Sequence, residues 1–372
     1  MNAPTAPPLL EARDLARYFP VRHGTGWGRA ATVRAVDGVD LVVEAGRTLG
    51  VVGESGCGKS TLGRLLLGLV EPTRGEVRFE GRALAGLRTG EMRATRRALQ
   101  IVFQDPYSSL DPQMTVEATL AEPITLHRLA RTRAELLARV GSLLEQVGLD
   151  PAHRDRYPHE FSGGQRQRVC IARALAVQPR LIVCDEAVSA LDVSVQAQIV
   201  NLLRDLQLAH GLSYVFIAHD LAVVRQIAHR VAVMYLGRIV ELADADTLFA
   251  APAHPYTQAL IDAVPAASPR RRATDTQPLA GDAPSPLDPP PGCHFHTRCP
   301  HARDLCRHRV PALEPAAPGQ RVACHFWREL GRPGSTARAS SAPDARLVAL
   351  QSAFTTRSSR PGDTRPAHPP PS

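Results

Sequence analysis

The chain has 372 residues, 44 basic against 36 acidic side chains, a formal charge of +8 and a hydrophobic fraction of 44%. That composition provides for about two domains plus a tail with a full core. No apolar run reaches the ~18–20 residues of a membrane span, the best candidates being broken by Arg64 and Arg238. The Pro-rich start carries Glu11 and Arg13 before any apolar block, unlike a secretory signal, so a soluble, cytosolic protein is expected. From Arg332 onward there are six arginines and two aspartates, so +4 of the charge excess lies in the tail. A basic Pro/Ser-rich tail of this kind is expected to be solvated and disordered, and no nucleic-acid partner is expected.

Leu10 to Phe19 reads as an edge strand, followed by a Gly-rich loop (His23 to Gly28), and Val33 to Val43 alternates as a second strand. Leu49–Val52 is an apolar strand feeding Gly53, Glu54, Ser55, Gly56, Cys57, Gly58, Lys59, Ser60 and Thr61, with a helix from Thr61 to Leu69. This is Gly, four residues, Gly-Lys-Ser between a strand and a helix, the context in which backbone N–H groups cradle phosphates. Lys59 is expected to reach the β- and γ-phosphates and Ser60 to take a place on Mg²⁺. Lys59 is the sole lysine of the chain, so the other 43 of its 44 basic residues are arginine. Arginine is accepted wherever a generic cation serves, yet a compact ammonium is kept here. With a phosphate loop downstream, Phe19, rather than Tyr18, is the candidate for stacking on adenine.

Gly75–Glu80 is a further short strand, and Ile101–Phe103 is another that stops at Gln104. Helical patterns follow at Val116–Leu129 and Arg133–Val147, then a segment ending near Tyr157; Leu136, Leu137, Val140, Leu143 and Leu144 form one apolar face. A helical insert in an α/β core is expected to project as a subdomain. Ser162, Gly163, Gly164 and Gln165 lead into a helix expected at Val169–Val177, with Ser162 as N-cap and the glycines beside a second anion-binding helix start. Leu181–Asp185 is a buried strand ending in the carboxylates Asp185 and Glu186, the position where α/β sheets place ligands. Asp185 is expected to hold Mg²⁺, directly or at one remove, and Glu186 to polarise an attacking water. Ser189–Asp192 enters the helix Val195–Ala209; strand Ser213–Ala218 ends at His219, expected on the γ-phosphate. Val231–Leu236 and Arg238–Leu242 make a hairpin through Gly237.

Cys293, Cys299, Cys306 and Cys324 are separated by five, six and seventeen residues. The short Cys-x₂₋₄-Cys hairpin of a zinc site is missing, and disulfides are not expected in a cytosolic chain. A 4Fe–4S cluster on four thiolates, zinc, unligated thiols, or mixed ligation with His294, His296, His301 or His308 remain open from the residues alone.

The ordered motifs from Gly53 to His219 resemble those of the ATP-binding subunit of an ABC transporter: the phosphate loop, Gln104, Ser162-Gly163-Gly164-Gln165, Leu181–Asp185 with Glu186, Ser189–Asp192, and His219. Gln104–Pro112, Tyr157–Gln165, Ala218–Val224, His254-Pro255-Tyr256 and Gly292–Pro300 resemble the oligopeptide/dipeptide importer group and its nickel-importing relatives. The resemblance implies an α/β fold: a P-loop NTPase core of ABC type with an antiparallel β subdomain and a helical subdomain, plus a Cys-containing C-terminal extension. The implied limits are 1–250 for the nucleotide-binding domain (helical part about 105–165), 251–330 for the extension and 331–372 for the tail. It further implies ATP and Mg²⁺, with Lys59, Gln104, Glu186 and His219 in catalysis and Ser60, Gln104 and Asp185 on the metal. The nucleotide would lie between one chain's phosphate loop and the Ser162–Gln165 signature and Asp192 of a second ATPase subunit, a paralogue by resemblance, although a homodimer is compatible. Relatives with the extension are thought to carry a 4Fe–4S cluster in some subunits. Two permease subunits, and indirectly an extracytoplasmic peptide-binding protein, complete the implied assembly on the cytoplasmic side of the cell membrane, importing peptides or, alternatively, nickel or another small solute. A soluble ABC ATPase without permeases is the second class; such proteins usually carry two cassettes per chain. One departure is Ala187, where the family usually has proline; modestly altered loop stiffness and retained activity are expected.

Overall fold

Short, fully apolar strands in this sequence have one stable destination, the middle of a sheet covered on both faces. In the computed structural model, which describes residues 7–21, 31–263, 281 and 284–330, that is where they lie. The strands are β1 (Leu10–Val21), β2 (Ala31–Val43), β3 (Thr48–Val52), β4 (Arg74–Phe79), β5 (Arg82–Ala83), β6 (Leu99–Val102), β7 (Leu181–Asp185), β8 (Ser213–Ala218), β9 (Arg230–Tyr235), β10 (Arg238–Asp244), β11 (Glu314–Ala317) and β12 (Gln320–Val322). The helices are α1 (Lys59–Leu66), α2 (Thr89–Ala98), α3 (Pro106–Ser109), α4 (Val116–Leu126), α5 (Arg133–Gln146), α6 (Gly163–Leu175), α7 (Val193–His210), α8 (Leu221–Ile227), α9 (Ala245–Ala250), α10 (Pro255–Asp262) and α11 (Asp304–His308).

The larger sheet has eight strands in the order β11-β12-β10-β9-β3-β8-β7-β6. Its β9-β3-β8-β7-β6 part is parallel, whereas β9, β10, β12 and β11 pair antiparallel. Every residue of β3, β7 and β8 is buried. Alternation along each strand divides these residues between two cores. Val51, Val183 and Ile217 enter the core shared with β1, β2, β4 and α1. Val52, Cys184 and Phe216 face the helices.

The second sheet is antiparallel, in the order β2-β1-β4-β5. β1 is therefore an interior strand, not the edge strand expected. Leu10, Ala12, Leu15 and Ala16 are buried between its two neighbours, and register shifts at Leu15 break the alternation that an interior strand would show. The loop at His23–Gly28 and the tail lie outside the described residues.

The helical insert packs α4, α5 and α6 through Leu120, Ile124, Val140, Leu143 and Leu144. α4 stops at Leu126, earlier than expected, and Arg128 takes a positive φ of 53°. The largest shift in bounds is α6, which begins at Gly163 and not near Val169. Two glycines weaken a helix by propensity, but Ser162 and Gln165 form a reciprocal capping box that starts it anyway.

The segment after α9 is sewn to the sheet. β12 pairs with β10, and Glu241 of β10, fully buried, accepts hydrogen bonds from the N–H groups of Ala253 (2.9 Å) and His254 (2.8 Å) and from Gln320 Nε2 (2.8 Å). The described residues make one compact unit.

Candidate active site

Four adjacent parallel strands deliver the site. β3 ends at Val52 before the phosphate loop, β6 ends two residues before Gln104, β7 ends at Asp185, and β8 ends at Ala218 before His219. Because the strands run parallel, these termini share one edge of the sheet, where ligands of open α/β folds bind.

The phosphate loop turns on glycines at positive φ: 155° at Gly53 and 106° at Gly58, the residue that caps α1. A Cβ at Gly58 would collide with the Ala35 carbonyl, so only glycine fits this approach. Lys59 is 4% exposed and donates from Nζ to the carbonyls of Gly53 (2.8 Å) and Glu54 (3.0 Å). Cys57 is buried between the loop and β9–β10; burial pushes its thiol pKa up, and its carbonyl accepts from the Gly237 N–H. A compact, buried, unreactive thiol is a filler here, and the loop's chemistry rests on its backbone.

Glu186 is the meeting point. Its Oε1 lies 3.8 Å from Lys59 Nζ, and its Oε2 accepts from Gln104 Nε2 at 3.0 Å and lies 3.8 Å from His219 Nδ1. Residues 59, 104, 186 and 219 are thus brought together from four segments. The Glu186 backbone is left-handed at φ 49°, a conformation that costs a non-glycine residue about 1 kcal/mol. Its N–H is fixed on the Ile217 carbonyl, and its own carbonyl accepts from Ser189 Oγ at 2.9 Å. That anchoring aims the carboxylate at the loop while its side chain keeps 16% exposure.

Ser60 Oγ donates to Asp185 Oδ1 at 2.7 Å. Burial pushes the Asp185 carboxyl pKa up, and the Ser60 hydrogen bond opposes that. Two hard oxygen donors at the mouth of the loop suit Mg²⁺. Gln104, expected on the metal as well, bonds Glu186 and, at 3.4 Å, Ser189 Oγ.

The remaining expected residues lie apart. Among the described residues, Ser162–Gln165 contribute none of the contacts around Glu186. Gly164 has a packing reason of its own, since a Cβ there would lie 2.5 Å from Val195 Cγ1 of α7. Asp192 precedes α7 without a side-chain capping bond. Phe19 pairs with Val33 of β2, and the Arg17 guanidinium sits 4.7 Å from its ring centroid.

Sequence reasoning missed the contacts made by the later segment. Arg298, 7% exposed, grips the Glu54 carboxylate with two hydrogen bonds, at 2.8 and 3.1 Å, which hold the guanidinium more firmly protonated than usual. Tyr256 Oη accepts from the Glu54 N–H at 2.9 Å. No local pattern signals a pairing across 244 residues.

The four late cysteines line one cavity of about 20 Å³ together with Phe295, His296 and Phe326. Burial pushes the thiol pKa values up, to about 12 at Cys293 and about 11 at Cys324. Among the described residues, no three His, Cys, Asp or Glu side chains are placed to hold a single metal ion. Four sulfurs around one small cavity fit a cluster with four thiolate ligands in donor chemistry.

The fold and this site define an ATP-binding cassette: a phosphate loop, a carboxylate pair and a strand-end histidine on one sheet edge. A family model described as ABC transporter matches residues 36–189, and one described as oligopeptide/dipeptide transporter, C-terminal region, matches 240–306. The chain is 56% identical over 318 residues to the probable peptide ABC transporter ATP-binding protein y4tS of Sinorhizobium fredii, covering 85% of this chain and 89% of that protein. It is 48% identical over 331 residues to the oligopeptide transport ATP-binding protein AppF of Bacillus subtilis, covering 88% of this chain and 100% of that protein. Among solved structures, cbiO1 of Clostridium perfringens, part of the ABC transporter complex cbiONQ, matches with a TM-score of 0.57 and 26% identity over 65% of this chain and 91% of that one. The ATP-binding cassette MJ0796, in a dimer bound to ADP and Pi, matches with a TM-score of 0.56 and 28% identity over 63% and 98%. The chain belongs to the family of ABC transporter ATP-binding proteins of the oligopeptide/dipeptide type.

Proposed function

We propose that this chain hydrolyses ATP to drive uptake of oligopeptides or dipeptides, as the energy-coupling subunit of an importer on the cytoplasmic side of the cell membrane. The observation that carries the ATPase reading is the convergence of Lys59, Gln104 and His219 on Glu186. The substrate class rests on the C-terminal family match and on the printed names of the relatives.

In this reading the loop N–H groups and Lys59 hold the β- and γ-phosphates, and Phe19 stacks on adenine. Ser60 and Asp185, with Gln104, would hold Mg²⁺, which supplies charge neutralisation to the phosphates. Glu186 takes the proton of the attacking water, and His219 and Lys59 stabilise charge on the transferring γ-phosphoryl group. Ser162–Gln165 and Asp192 serve the partner ATPase's nucleotide, since within one chain they stand away from Glu186. Positioning and electrostatic stabilisation make up most of phosphoryl-transfer catalysis, so a site divided between two subunits ties hydrolysis to their closure. Two permease subunits would take up that motion. None of the described helices is long and apolar enough to cross a membrane.

Cys293, Cys299, Cys306 and Cys324 would hold a 4Fe–4S cluster, which when bound supplies a cross-link of the extension. Iron analysis and a visible absorption band after anaerobic purification test this, and neither appearing would sink it.

The transport reading is tested by reconstituting the chain with its permeases and binding protein in vesicles. ATP turnover is expected to rise with added short peptides. Stimulation by Ni²⁺ and not by peptides would overturn the substrate class.

A further inference from the structure

Glu54 is an odd residue for its place. It stands second in a loop whose purpose is to attract a triphosphate, and it carries a carboxylate that by charge alone repels one. The structure shows three holds on it. Its carboxylate takes both hydrogen bonds of the Arg298 fork, its N–H donates to Tyr256 Oη, and its carbonyl accepts from Lys59 Nζ.

Two of the holds come from the extension. Tyr256 is fully buried, with ring centroids 4.7 Å from Tyr235 and 5.3 Å from Phe295. Its own N–H donates to His254 Nδ1 at 3.0 Å, which fixes the start of α10. Arg298 follows Phe295 in a tight turn closed by its N–H on the Phe295 carbonyl at 3.0 Å. Both side chains therefore approach the loop from a rigid base. The planar fork neutralises the carboxylate as a bidentate pair, with Arg298 7% and Glu54 27% exposed.

We propose that Arg298 and Tyr256 are positioning residues of the phosphate loop: Arg298 cancels the Glu54 charge that would repel ATP, and Tyr256 fixes the loop's first peptide, so that the C-terminal extension sets the affinity for nucleotide. The proposal rests on the ATP-binding reading above and deepens it. Neither residue touches the reacting atoms. An uncompensated carboxylate beside three phosphates weakens ATP binding by about tenfold at the dielectric of a partly exposed site, and ADP, with one charge fewer, by less.

The test is equilibrium binding of ATP and ADP to the full chain in a Glu186→Gln background, which keeps hydrolysis from intervening. Arg298→Gln is expected to weaken ATP about tenfold and ADP less. The double variant Glu54→Gln/Arg298→Gln is expected to return to within about twofold of the background, because the repelling charge has gone with its partner. In the assembled transporter, where Glu186 is intact, Arg298→Gln should raise KM for ATP and leave kcat within about twofold. Unchanged ATP affinity in Arg298→Gln would overturn the proposal. So would a double variant as weak as the single one, since that is the signature of a damaged loop and not of a charge. If Arg298→Gln does not fold, the double variant decides alone: background-like affinity supports the proposal and tenfold weaker binding overturns it. A background chain that binds no ATP would overturn the ATP reading itself, and the proposal with it.

Discussion

At the edge where β3, β6, β7 and β8 end, each candidate residue sits in a short segment that carries its own signal: a glycine loop before a helix, or a polar residue, acid or histidine at the end of an apolar strand. Beyond α9 the important residues carry no such signal. Glu241 just before α9, and His254, Tyr256 and Arg298 beyond it, are largely covered polar groups satisfied by partners 13 to 244 residues away. The two regions differ in what burial does. At the strand ends it leaves side chains converging on Glu186, whereas in the extension it ties polar groups to one another and to the phosphate loop. Local chemistry makes the first region readable, and tertiary satisfaction makes the second one stable.

The extension's polar ties to β10 are expected to carry stability. Glu241→Ala orphans three donors in the core and should lower unfolding stability by about 3 kcal/mol, read from the denaturant midpoint. A loss below about 1 kcal/mol would mean that β10 holds the extension by other contacts.

His254 gives the next effect. It is 1% exposed, and burial pulls its pKa down from 6.5 to about 3. Between those values the unfolded chain binds a proton at this position and the folded chain does not, so stability falls as pH drops from 6.5 toward 3. The slope contributed is up to about 1.4 kcal/mol per pH unit. In His254→Asn, which retains an acceptor for the Tyr256 N–H, stability against pH should be flatter by that amount. An unchanged slope would show that the imidazole is solvated before the chain unfolds.

The smallest effect belongs to the strand-end region. Ala187 follows Glu186 and is buried, and Ala187→Pro stiffens the loop without adding a ligand. Turnover should change by well under tenfold; a tenfold change would show that loop stiffness at this point sets the rate.

The strand-end region is written in local sequence. The strand-loop-helix context of Gly53–Thr61, the acid pair closing β7 and the histidine closing β8 fell where their patterns placed them. β1 misled because its register shifts blur the period of 2 by which an interior strand is recognised. α6 starts six residues before the expected Val169, directly after its N-cap Ser162, because the Ser162–Gln165 capping box carries the helix through Gly163 and Gly164. The need for glycine at 164 became clear only from the approach of Val195. Glu54 read as an ordinary member of the phosphate loop, since its countercharge lies 244 residues away.

Activation of the water that cleaves ATP is the role proposed for Glu186, held beside Lys59, Gln104 and His219. Its most direct test is Glu186→Gln in the assembled transporter, with ATP turnover and ATP binding measured together. Turnover should fall by at least about 100-fold while binding is retained. Turnover within a few-fold of the unmodified transporter would contradict the assignment of Glu186.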